Sequence, residues 1–156
     1  LIGLTTVSLT FIGKFFRKGN EAVAVFRVID GDTFRSFSGN TYRLIGINTP
    51  ERGRYGYETA TTYLSSLLTQ CPDDLFPGFR TVRITTTGKG TYGRDLAYVY
   101  CNGESINEQM VEEGYAISYR KYPHKYTDRY NSIEQKAKNN QRGLWPYWFV
   151  NGYNAY

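Results

Sequence analysis

Five short extended runs and three helical ones, with no regular strand-helix-strand alternation between them, predict an α+β fold. The expected architecture is a five-stranded antiparallel OB-type β-barrel carrying three α-helices. Residues 22–29, 33–37, 41–47, 80–87 and 94–101 are rich in Val, Ile, Thr and Tyr and are bounded by Gly, Asn, Asp or Pro. A doubly wound parallel sheet would instead alternate strand and helix along the chain. With 156 residues the chain has the length of one domain and can bury a core without disulfide or metal staples.

The first run, 22–29, alternates well enough to be a strand, and Asp30-Gly31-Asp32-Thr33 turns it. Residues 33–37 resume the extended pattern, Ser38-Gly39-Asn40 turns again, and 41–47 return, so the first three strands form a meander. The period changes at Tyr57. Ala60, Tyr63, Leu64, Leu67 and Leu68 fall at helical spacing, which makes 57–69 an amphipathic, core-facing helix. Cys71-Pro72-Asp73-Asp74 ends it, 80–87 is the fourth strand, 88–93 a loop, and 94–101 the fifth strand, closed by Asn102-Gly103. Ser105-Ile106-Asn107-Glu108 has the capping-box spacing and opens a short helix that stops near Gly114. Tyr130, Ile133 and Ala137 mark the last helix, with a Glu134 to Lys138 pair, stopping by Gly143.

Residues 1–21 are read as an N-terminal arm. About thirteen uncharged residues precede Lys14, fewer than the roughly twenty that span a bilayer, so the apolar part, Leu1–Phe16, is read as the tail of an anchor, a signal-peptide remnant or a segment docked on a membrane or protein partner, against an ordinary extra strand packing on the domain. Residues 146–156 form an aromatic tail, read either as packing onto the body or as a membrane-interface belt. A formal charge of +5 and fifteen tyrosines suit a nucleic-acid partner, since cations meet phosphates and rings stack on bases. A merely basic soluble domain shares that composition. Cys71 and Cys101 could pair, but two cysteines do not fix a redox compartment. His124, the one histidine, is placed in a surface loop beside Pro123, and its singleness argues against two-imidazole chemistry and a His-Cys zinc cage.

The chemistry concentrates in Arg43-Leu44-Ile45-Gly46-Ile47-Asn48-Thr49-Pro50-Glu51. Its first half is an apolar strand, and Pro50 ends it, because proline cannot pair in a central strand and pushes the preceding residue out of helix. Two opposite charges and two neutral oxygen ligands around a strand end point to a phosphate-handling, cation-binding site. An Arg-Glu ion pair at a barrel rim is the plainer alternative for that pair of charges taken alone.

Several motifs in order decide between these. Asp30-Gly31-Asp32-Thr33, Arg43 through Glu51, Tyr55-Gly56-Tyr57-Glu58, Tyr92-Gly93-Arg94-Asp95-Leu96-Ala97-Tyr98, Asn107-Glu108 and Gly143-Leu144-Trp145 together resemble the staphylococcal (thermo)nuclease family over about residues 22–145. The resemblance implies a calcium-dependent phosphodiesterase that acts on single-stranded DNA and RNA and leaves 3′-phosphate ends. It implies Asp32, Asn48, Thr49 (through its backbone carbonyl) and Glu51 around Ca2+, with Arg43, Glu51 and Arg94 as catalytic residues. Tyr92, Tyr119 and Tyr122 are the tyrosines expected to contact substrate, with Lys89, Arg52, Arg54 and Lys121 as a positive rim. Asn48 stands where the best-known members carry Asp, which removes one negative charge and predicts weaker calcium binding. A second expectation is a nuclease-like domain serving as a binding or structural subunit of a larger, membrane-attached assembly, resting on the arm and tail. A membrane-attached, organellar or secreted location is expected ahead of a plain cytoplasmic one.

Overall fold

The computed structural model describes residues 21–73 and 76–151; the N-terminal arm, apart from Glu21, and the end of the aromatic tail lie outside them. The strands are β1 (Glu21–Asp30), β2 (Thr33–Ser36), β3 (Thr41–Leu44), β4 (Ile47–Asn48), β5 (Thr81–Lys89), β6 (Asp95–Cys101), β7 (Glu104–Ser105) and β8 (Ile117–Ser118). The helices are α1 (Tyr57–Thr69), α2 (Ile106–Glu112), α3 (Thr127–Asn139) and α4 (Trp145–Asn151). The main sheet runs β3-β2-β1-β5-β6-β7, and a further pairing of β3 with β6 closes five of its strands into a barrel.

Closure corrects one expectation. β1–β2, β2–β3, β1–β5 and β5–β6 are antiparallel, but β3 and β6 run parallel, so the barrel is mixed. The third predicted strand also divides, since Gly46 takes a φ of 77°, which L side chains rarely adopt, and separates β3 from β4. β4 then leaves the barrel to pair with β8.

Alternation selects the core. Phe34, Tyr42, Leu44, Val82, Ile84, Ala97 and Val99 point inward and meet Leu64, Leu67 and Leu68 of α1 and Ile106, Met110 and Val111 of α2. The N-cap half of the predicted box forms, with the Ser105 hydroxyl accepting the Glu108 N–H at 3.2 Å, while the Glu108 carboxylate pairs with Arg129. Cys71 and Cys101 are disulfide-bonded and tie the end of α1 to the end of β6 across 30 residues. In the chain-entropy description a loop of that length stabilises the fold by about 3 to 4 kcal/mol.

The tail supplies a fourth helix where three were expected. Pro146 lies in its first turn, where a missing N–H costs nothing. Leu144, Trp145 and Trp148 are buried with Ala137 in a second apolar cluster, and the two indoles meet edge to face at 5.0 Å.

Candidate active site

The site is assembled where the β1–β2 turn meets the exit of β3. Asp30 Oδ1 accepts the Asp32 N–H at 3.1 Å, which fixes the turn and aims the Asp32 carboxylate inward. Gly31 permits α1 to close over that turn, because a Cβ there would lie 2.8 Å from Ala60 Cβ and 2.8 Å from Thr49 Oγ1. Asp32 Oδ2 accepts from the Thr49 N–H (3.2 Å) and hydroxyl (3.0 Å), while Oδ1 accepts from the Thr33 hydroxyl (3.1 Å).

Arg43 completes this arrangement. Its Nε lies 3.0 Å from Asp32 Oδ1, one terminal nitrogen donates to the Leu44 carbonyl at 2.6 Å, and the other donates to the Ile47 carbonyl (3.0 Å) and Asn48 Oδ1 (3.1 Å). The guanidinium therefore bridges the two predicted cation ligands and braces the Gly46 bend with the same fork. Burial pushes the Asp32 carboxyl up to about 6, against the opposing pull of Arg43 and with some reinforcement from Asp30. One guanidinium does not balance the cost of keeping this carboxylate dry.

Structure and sequence meet unevenly over the other residues. Asp32, Arg43, Asn48 and Thr49 form one hydrogen-bonded set, whereas Glu51 is exposed on the turn past Pro50. Arg94 lies just before β6, whose Leu96 pairs with Arg43, so the strand that carries Arg43 neighbours the one that Arg94 leads into. Its Nε donates to the Thr91 carbonyl at 3.2 Å, and its guanidinium lies 5.7 Å from the Tyr92 ring centroid. Tyr92 is 92% exposed at a φ of 61°. Tyr119 and Tyr122 meet edge to face at 5.8 Å, and the Tyr119 N–H donates to the Gly46 carbonyl at 2.9 Å, tying that loop to the site strand. Of the rim cations, Lys89 pairs with Asp95 at 2.7 Å, Arg52 lies over Tyr57 and Lys121 over Tyr122.

The supporting roles of three residues escaped the sequence reading. Asn107 is fully buried; its amide oxygen accepts the Val99 N–H (2.9 Å) and its amide nitrogen donates to the Ile45 (3.0 Å) and Ala97 (3.2 Å) carbonyls, joining the β3–β4 bend to β6. Glu134 does not serve a surface pair with Lys138. It is buried, accepts the Ser118 N–H at 3.0 Å and pairs with Arg120, which holds β8 against β4 and so against Asn48. Its place four residues after Tyr130 and three before Ala137, on the buried stripe, was the available signal. His124 is packed inward and not left in a free surface loop: a Cβ on Gly46 would lie 2.2 Å from its Nε2, and its Nδ1 is 3.0 Å from the Tyr98 hydroxyl.

Residues 41–147 match the model of the staphylococcal nuclease homologue family. The chain belongs to that family. It is 32% identical over 147 residues to the SPbeta prophage-derived endonuclease YokF of Bacillus subtilis (strain 168), covering 84% of this chain and 45% of that protein. It is 32% identical over 125 residues to an uncharacterized endonuclease of Haemophilus influenzae, covering 78% of this chain and 64% of that one. The thermonuclease of Staphylococcus hyicus is 29% identical over 163 residues, covering 93% of this chain and 90% of its own length. The chain thus spans about half to two thirds of the first two relatives.

Thermonuclease relatives generally depend on calcium, and the donors present here can be tested against that ion. Asp32, Asn48, Thr49 and Glu51 offer only oxygen, which suits a hard cation of loose geometry. Among the described residues no group of three or more His, Cys, Asp or Glu side chains could hold a metal. The residues fit such an ion in kind, with two carboxylates and neutral oxygens to make up the shell. The buried, under-compensated Asp32 carboxylate is the group that would gain most from a cation.

Proposed function

We propose that this protein is a calcium-dependent nuclease that hydrolyses phosphodiester bonds of single-stranded DNA and RNA to 3′-phosphate products. The observation that carries the reading is the Arg43 fork set between Asp32 and Asn48 at the exit of β3, within a chain of the staphylococcal nuclease family. Asp32, Asn48, the Thr49 carbonyl and Glu51 would hold the ion, which when bound neutralises charge on a phosphate oxygen. Glu51, exposed on the turn that follows Thr49 and Pro50, orients or deprotonates the attacking water. Arg43 and Arg94 bind phosphoryl oxygens and stabilise the five-coordinate transition state as the bond to the 5′ oxygen breaks. Tyr92, Tyr119 and Tyr122 offer ring faces to the bases.

The test is Asn48→Asp. Restoring one negative charge is expected to lower the calcium concentration for half-maximal cleavage by roughly five- to tenfold, the worth of about 1 kcal/mol of attraction at high dielectric. An unchanged calcium requirement would remove Asn48 from the ligand set.

One further observation favours membrane attachment alongside activity. Phe26, Phe37 and Phe79 are exposed and touch in series, with ring centroids 5.0 and 4.4 Å apart. The twenty residues that precede β1, apolar and then cationic, join the strand that carries Phe26. A lipid surface suits both features. The Cys71–Cys101 disulfide supports an oxidising location, secreted or organellar. Full-length protein carrying Phe26→Ser, Phe37→Ser and Phe79→Ser should float less with phosphatidylcholine–phosphatidylserine vesicles than the native chain. Equal flotation, or a loss of self-association in the variant instead, would count against the lipid reading.

A further inference from the structure

The loop that follows Glu51 is short and held at its far end by the C-terminal helix. Two turns shape it, with the Arg54 N–H donating to the Glu51 carbonyl at 2.9 Å and the Tyr57 N–H donating to the Arg54 carbonyl at 3.2 Å. Beyond those turns the loop meets α4. Gly56, at a φ of 89°, lies so close to Leu144 that a Cβ would fall 2.5 Å from its Cδ1. The Tyr55 ring stacks on Tyr147 of α4, with centroids 3.7 Å apart and planes 18° from parallel.

The mount behind Tyr147 is anchored in the core. The Leu144 N–H donates to the Gly114 carbonyl at 2.9 Å, and Trp145 and Trp148 are buried in the second core cluster. Tyr55 and Tyr147 themselves remain 58% and 38% exposed, so their stack is made at the surface and is not a by-product of core filling. Isolated tyrosines at such exposure would sample many rotamers. Here one ring is carried by a helix anchored through buried Trp145 and Trp148, and the other by the loop that begins at Glu51.

We propose that Tyr147 is a positioning residue: through its stack on Tyr55, α4 clamps the 51–56 loop and thereby fixes the carboxylate of Glu51 beside Asp32, Asn48 and Thr49. The consequence for catalysis rests on the nuclease reading given above. The consequence for the loop does not. Arg52 and Arg54 lie inside the clamped segment and are exposed, so trypsin reports its opening directly.

The experiment compares native full-length protein with Tyr147→Ala, Tyr147→Phe and Tyr55→Ala. Limited trypsin digestion is read by the new end at Gly53, which is common to every variant, and single-stranded DNA cleavage by kcat and KM separately. Both alanine variants should be nicked roughly two- to tenfold faster and lose kcat by a similar factor at unchanged KM, the range one aromatic stack supports. Tyr147→Phe, which keeps the stack, should match the native chain in both. Unchanged nicking in the alanine variants overturns the clamp, and faster nicking at unchanged kcat overturns the positioning of Glu51. An inactive native chain overturns the nuclease reading alone, because the nicking rates still decide the clamp.

Discussion

Arg43→Ala is expected to lower the cleavage rate by roughly a hundred- to a thousand-fold, the usual loss for one donor aimed at developing charge. It is expected to lower stability as well, by about 3 kcal/mol, because removing one partner of a buried pair leaves the other uncompensated. The stability loss follows from contacts in the structure: the fork satisfies the Leu44 and Ile47 carbonyls and Asn48 Oδ1 while facing Asp32. Arg94→Ala provides the contrast. Its described contacts are the Thr91 carbonyl and the exposed Tyr92 ring, so a comparable rate loss should come with a stability change within about 0.5 kcal/mol. Chemical denaturation and single-turnover cleavage of both variants separate the two arginines. Equal destabilisation would mean that the Arg43 fork does not brace the bend.

The second large effect concerns pH. Burial raises the Asp32 carboxyl from 3.8 to about 6, so between those values the folded state holds a proton that the unfolded state has released. Stability from this group is fully present below pH 4 and is lost as pH rises through 6. The difference corresponds to at most about 3 kcal/mol at 1.36 kcal/mol per unit. In chelator, native protein should therefore show a component of stability that declines from pH 4 to pH 7, and Asp32→Asn should remove that slope while abolishing calcium-dependent cleavage. Calcium should flatten the same slope in the native chain, since a cation beside Asp32 favours its ionised form. A slope that survives Asp32→Asn would assign it to another group.

Local pattern carried most of the fold. Alternation placed the five barrel strands, and the Ser105 box and the Tyr57 periodicity placed two helices, because these signals lie within a few residues of one another. Parallel closure of β3 on β6 was not legible: Arg43 and Leu96 pair across 53 positions, and no local chemistry distinguishes that register. Gly46 could be read as a strand residue because neither its positive φ nor the His124 ring lying where a Cβ would fall is signalled by its sequence neighbours. α4 was hidden in an aromatic tail too short for periodicity to speak.

The candidate site divides in the same way. Arg43, Asn48 and Thr49 stood in one contiguous stretch, and their partner Asp32 was named through its turn. The residues that hold them were less legible: Asn107 stood in a helix-start motif and Glu134 in a helical pair with Lys138, until burial placed them against the bend and against β8. A polar residue on an apolar stripe is the sign they share.

The most direct test is degradation of single-stranded DNA by the purified chain with calcium, with magnesium and with chelator, beside Glu51→Gln. Cleavage that requires calcium and is lost in Glu51→Gln is the predicted result and would join the metal requirement to the proposed base in one experiment. A folded native protein that cleaves under none of these conditions would contradict the nuclease reading and leave the domain as a binding or structural subunit.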